Sequence, residues 1–68
     1  MKEAWTGRLV GKMHVEEITM EELGREIGVG KAYISQILNG IRRPAGAKER
    51  LEAAFKAIVE RRHGESRQ

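Results

Sequence analysis

The chain has 68 residues, 34% of them charged and 40% hydrophobic, with no cysteine and one proline. That length allows one domain with a thin core, leaves little chain for a catalytic pocket, and excludes disulfides and Cys-based zinc sites as staples. The net charge of +3 is unevenly spread: residues 16–26 hold five acids and one base, whereas residues 27–48 hold Lys31, Arg42, Arg43 and Lys48 and no acid.

A surface with one cationic side suits a polyanionic partner. Apolar runs stay far below the roughly 18 residues of a membrane span, and the N-terminus lacks the apolar stretch of a secretory signal. The expected location is therefore the cytoplasm, with no membrane partner.

The spacing predicts four helices. The first runs from about Lys2 to His14, with Trp5, Leu9 and Met13 on one stripe and Val10 beside them. Gly7 and Gly11 weaken it and are expected to pack closely against another helix. The second helix opens on a capping box, Thr19-Met20-Glu21-Glu22, places Leu23 and Ile27 on one face, and ends at Gly28 in the left-handed conformation. Gly24, one residue past Leu23, gives a bare backbone where two helices cross.

Val29 plugs the turn, and Gly30 stands at the N-cap of a third helix, Lys31 to about Asn39. At about 100° per residue, Ile34, Ile37 and Leu38 fall on one face of that helix and Ala32, Ser35, Gln36 and Asn39 on the other, with Lys31 and Tyr33 at the flanks. Asn39-Gly40 stops the helix before a basic loop that ends at Pro44. The last helix, about Ala47 to Arg62, carries Ala47, Leu51, Ala54, Phe55 and Ile58 as its apolar stripe, and its terminal Arg61, Arg62 and His63 complement the helix dipole. Residues 1–64 are expected to form the domain and 65–68 a flexible tail.

Two short helices joined through Gly28 and Gly30 around an apolar wedge have the shape of a helix-turn-helix over about residues 19–39. Such a pair offers the outer face of its second helix to a major groove about 12 Å wide. That face is small or amide-bearing and carries no acid to repel phosphate, whereas a merely solvated face is more often filled with Glu and Lys.

The capping box, the Gly28-Val29-Gly30 turn, the Ile34-Ser35-Gln36-Ile37 core pattern and Asn39-Gly40-Ile41-Arg42-Arg43-Pro44 together resemble the Cro/C1-repressor (XRE) family, the small regulators of phages and mobile elements. The resemblance is dense over about residues 18–44. It implies an all-α, compact bundle of four to five helices of the lambda-repressor-like DNA-binding type, with Lys31 to Asn39 as recognition helix. Carried over by position, Lys31, Ala32 and Gln36 face base edges. Thr19, Met20, Tyr33, Ser35, Asn39, Arg42 and Arg43 meet the DNA backbone or the groove wall.

Three positions depart from the family pattern. Met20 stands where Gln is frequent, Gly30 replaces a Ser or Thr cap, and Gly24 replaces Ala, a change conservative in size.

Other residues read as structural. Trp5 belongs to the core, His14 and His63 are far apart in sequence with no Cys or Asp beside them to complete a metal site, and Glu16, Glu17, Glu21 and Glu22 suit an exposed helix start rather than a pair of catalytic carboxylates. No catalytic residue, metal, cofactor or small-molecule ligand is expected. The function expected is a sequence-specific double-stranded DNA-binding regulator, a repressor that binds an inverted-repeat operator as a homodimer and works on the nucleoid of a bacterial cell. The competing reading is a protein-interaction module, antitoxin-like or recombination-accessory, whose DNA binding is secondary; the acidic first half and the long amphipathic last helix motivate it.

Overall fold

A computed structural model of the protein describes residues 4–66, which form α1 (Ala4–Glu16), α2 (Met20–Ile27), α3 (Lys31–Leu38) and α4 (Ala47–Ser66). α2 packs on α3 and α4, and α1 closes the bundle against α3 and α4. The core runs from Trp5, Leu9 and Met13 of α1 through Ile18, Leu23, Ile34, Ile37 and Leu38 to Ala47, Leu51, Ala54 and Ile58 of α4. Leu23 and Ile34 are sealed completely from solvent, so the α2–α3 contact lies at the centre of this core.

The α1 stripe is as the spacing predicts, but its other side is not. Val10 is 46% exposed. Gly7 and Gly11 are exposed as well, and a Cβ added at either meets nothing within 4 Å. They therefore pack against no other helix. Each lies two residues beyond a buried stripe residue, about 200° around the helix axis, which turns it to solvent. The expected start at Lys2 lies outside the described residues.

α1 ends on Glu17 in the left-handed region, at φ 56°. The Glu17 N–H donates to the His14 carbonyl (3.2 Å) and the Ile18 N–H to the Met13 carbonyl (2.9 Å). This is a Schellman-type end without its usual glycine, fastened by burial of Ile18.

α2 begins with the capping box that the sequence announces. The Glu22 N–H donates to Thr19 Oγ1 at 3.0 Å, and the Thr19 N–H to Glu22 Oε1 at 3.0 Å. Gly28 closes the helix at φ 83°. The Val29 N–H then donates to the Gly24 carbonyl at 2.8 Å, folding the turn back on the helix it leaves.

α4 runs four residues beyond the expected Arg62, through Ser66. Gly64 does not enter the left-handed conformation that ends α2, so the helix continues through it; a glycine inside a helix costs only about 1 kcal/mol. Of the expected tail, 65 and 66 have helical backbone, and 67 and 68 lie outside the described residues.

Candidate nucleic-acid interface

α3 is amphipathic in the sense the interface needs. Ile34, Ile37 and Leu38 are buried, Lys31 and Ala32 are exposed, and Tyr33, Ser35 and Gln36 are half-buried at the rim. The angle between α3 and α2 is set by Gly24. An added Cβ there would stand 2.6 Å from the Val29 carbonyl oxygen and 3.3 Å from both the Gly30 oxygen and Ile34 Cγ1. The substitution of Gly24 for the family's usual Ala is therefore not neutral in size here: the turn comes so close to α2 that only glycine fits without movement.

Gly30 caps α3 at φ −82°, ψ 164° with no side-chain hydrogen bond to the helix start. At the other end, Asn39 closes the helix from its own side chain. Its Nδ2 donates to the Ser35 carbonyl at 2.8 Å and to Ser35 Oγ at 3.2 Å. Ser35 and Asn39 thus form a pair at the end of the helix. Met20 packs against the core, so its side chain offers no polar contact in place of the family's Gln. The Thr19 hydroxyl is engaged in the cap of α2.

The loop after α3 is fastened to it. The Gln36 carbonyl accepts both the Ile41 N–H (2.9 Å) and the Arg42 N–H (3.1 Å). The Arg42 side chain turns back over the helix: its Nε–H donates to Gln36 Oε1, and its guanidinium carbon lies 5.4 Å from the centroid of the Tyr33 ring. That distance falls within cation–π range. Arg42, Arg43, Pro44 and Lys48, with Trp5 and Ile37, line a cleft of about 310 Å³ at the start of α4, where the loop and the helix start bring three cations together beside one acid, Glu49.

The acids of the preceding segment are drawn elsewhere. Arg61 Nη2 meets Glu26 Oε1 at 2.8 Å and Arg62 Nη2 meets Glu22 Oε2 at 2.5 Å. Arg62 Nη1 donates to the Glu16 carbonyl at 2.7 Å, and His63 Nε2 stands 3.7 Å from Glu16 Oε1. The Glu22 carboxyl is held below its ordinary range chiefly by the Thr19 N–H; desolvation opposes this, and the hydrogen bond and charge of Arg62 add to the lowering. Glu26 is lowered by its hydrogen bond and charge interaction with Arg61. The terminal cations of α4, read from the sequence as partners of the helix dipole, also bind the end of α4 to the acidic side of α2 and the α1–α2 junction.

A family model described as helix-turn-helix matches residues 16–48, from the end of α1 into the first turn of α4. The segment is a helix-turn-helix domain of the Cro/C1 (XRE) type. Comparisons with curated proteins and with solved structures give no match. The fold is the all-α, lambda-repressor-like domain that the resemblance implies, with four helices among the described residues. The domain is a DNA-binding one, and its family is typically non-enzymatic. Among the described residues no helix is long and apolar enough to cross a membrane.

Two features of this surface escape sequence reasoning. Ile41 is 74% exposed in the middle of the basic loop, an apolar residue where an ordinary turn would carry a polar one. The grouping of Tyr33, Gln36 and Arg42 depends on the path of the loop.

Proposed function

We propose that this helix-turn-helix protein is a sequence-specific regulator of transcription, a repressor that occupies an inverted-repeat operator as a homodimer in the cytoplasm, on the nucleoid. The observation that carries this reading is the division of α3: its apolar residues Ile34, Ile37 and Leu38 are buried, while Lys31, Ala32 and Gln36 stand on a side without any acid. In this reading Lys31, Ala32 and Gln36 meet base edges. Arg42 and Arg43, with Tyr33, Ser35, Asn39 and the Thr19–Met20 start of α2, meet the backbone or groove wall. Gln36 can bond adenine through both ends of its amide, Lys31 can donate to guanine, and the Ala32 methyl suits a thymine methyl.

One domain of this size covers a short half-site, so a dimer doubles the contacts and spaces the half-sites about one helical turn apart. Val59, the Ala53 and Ala57 side of α4, or the outer face of α1 would form the dimer contact. Exposed Val10 and Val15 favour the α1 face.

The test is selection of bound duplexes from a randomised pool at fixed salt, followed by titration of the selected duplex and its single-base variants. Two half-sites in inverted order support the dimer reading, and a single half-site rejects it. Gln36→Ala is expected to lose about 1–3 kcal/mol at one base position and to relax the preference there. Equal weakening on the selected duplex and on random DNA would remove Gln36 from base reading.

A further inference from the structure

We infer that Arg42 is a positioning residue for base reading: it sets the orientation of the Gln36 amide, and the two side chains determine one base preference as a unit. This inference rests on the DNA-reading role proposed for α3 and adds to it a residue whose place in the sequence suggests only a phosphate contact.

A glutamine amide is a weak reader when free, because its oxygen and nitrogen ends exchange places by rotation about the last side-chain bond. A flipped amide presents a donor where an acceptor is needed, and holding it one way excludes the wrong bases. Arg42 supplies that hold. A guanidinium has donors only, so the Gln36 atom that receives the Arg42 Nε–H is the oxygen.

Arg42 is itself held at two further points. Its guanidinium sits 5.4 Å from the Tyr33 ring centroid, and its main-chain N–H donates to the Gln36 carbonyl at 3.1 Å. Tyr33 and Gln36 lie one turn apart on α3, so the guanidinium bridges neighbouring side chains of one helix face. A residue whose sole task is to bind phosphate needs no such attachment; a flexible cation serves equally. With Oε1 engaged by Arg42, the Nε2 donors and the second lone pair of the oxygen remain for a base edge. That favours a base presenting an acceptor in the major groove at this position.

The experiment uses the full chain and the duplex selected from a randomised pool, with all four base pairs placed in turn at the position where Gln36→Ala alters preference. Wild-type protein is expected to favour one base there by about tenfold or more. Arg42→Ala should compress this preference to within about twofold while leaving the preferences at other positions in place. Arg42→Lys retains the charge and a donor but lacks the planar guanidinium that lies over Tyr33, so it should keep the salt dependence of binding and recover at most part of the preference. Melting curves establish that both variants are folded.

If Arg42→Ala instead weakens every duplex by one common factor with the base profile intact, Arg42 is a phosphate contact alone and the inference is overturned, with the regulator reading untouched. A wild-type protein with no base preference at any position would overturn the regulator reading itself, and this inference with it.

Discussion

Gly24→Ala is the substitution in which helix propensity and packing disagree most sharply. In an exposed helix, alanine for glycine stabilises by up to about 1 kcal/mol. At Gly24 the new methyl would stand 2.6 Å from the Val29 carbonyl oxygen, and the Gly30 oxygen and Ile34 Cγ1 close in at 3.3 Å. The nearest obstacle is backbone, and it cannot swing aside like a side-chain tip. The turn is also tied to α2 by the Val29 N–H bond to the Gly24 carbonyl at 2.8 Å, so retreat strains that bond as well.

Overpacking of this kind costs about 1–3 kcal/mol. With the full propensity gain of about 1 kcal/mol subtracted, the net loss is at most about 2 kcal/mol, or a fall in Tm of up to roughly 15 °C for a domain of this size. Gly7→Ala and Gly11→Ala are the matched controls, because nothing lies within 4 Å of either added methyl and both positions are in α1. Each should raise Tm by a few degrees. Thermal and urea unfolding followed by far-ultraviolet circular dichroism reads all three. A Gly24→Ala protein that melts at or above wild type would refute the close-approach argument.

Further outcomes follow from local geometry. Glu17→Gly relieves a non-glycine residue at φ 56° and should stabilise by about 0.5–1 kcal/mol, seen as a higher urea midpoint; an unchanged or lower midpoint means the left-handed turn carries no strain. Gly30→Ser supplies the side-chain cap that α3 lacks, at a φ of −82° that serine adopts freely, for a gain of a few tenths of a kcal/mol, about 0.3–0.5. A loss there would show that the bare helix start is needed for packing.

Glu22 titrates below its ordinary value of about 4.3 in the folded chain, so its contribution is present above that pH and lost as pH falls through the folded value. Wild type should therefore exceed Glu22→Gln in Tm at pH 7 by an amount worth less than about 1 kcal/mol, and the gap should close in acid. A gap independent of pH assigns the effect to shape rather than charge.

What the sequence discloses here is local chemistry. The Thr19–Glu22 box, the left-handed Gly28 and the bare Gly30 cap each depend on residues within a few positions, so α2 and α3 are delimited almost to the residue. The inward face of α3 is legible for the same reason: Ile34, Ile37 and Leu38 share a helical angle whatever surrounds them.

What stayed hidden depends on chain path or on ambiguous signals. Small residues such as Gly7 and Gly11 accompany close packing or open solvent alike, and only the placement of α1 decides between them. Glu17 carries no sequence mark of a left-handed residue. The bonds from Arg61 and Arg62 to Glu26 and Glu22 span 35 and 40 positions. At the interface, the outward residues were legible one by one, but the contact of Arg42 with Gln36 and Tyr33 arises from the loop folding back over its own helix.

The double acceptance of the Ile41 and Arg42 amides by the Gln36 carbonyl has a consequence for how DNA would be measured. It makes α3 and the loop behind it a single jaw with a constant gauge. Where such a jaw seats its cations on a phosphate, its amides reach one base step and not the next, since a slip along the strand of about 3.4 Å carries helix and loop together. If α3 and the loop read DNA as proposed, sliding past a near-miss site would break backbone and base contacts at once, so the domain would either engage in frame or move on.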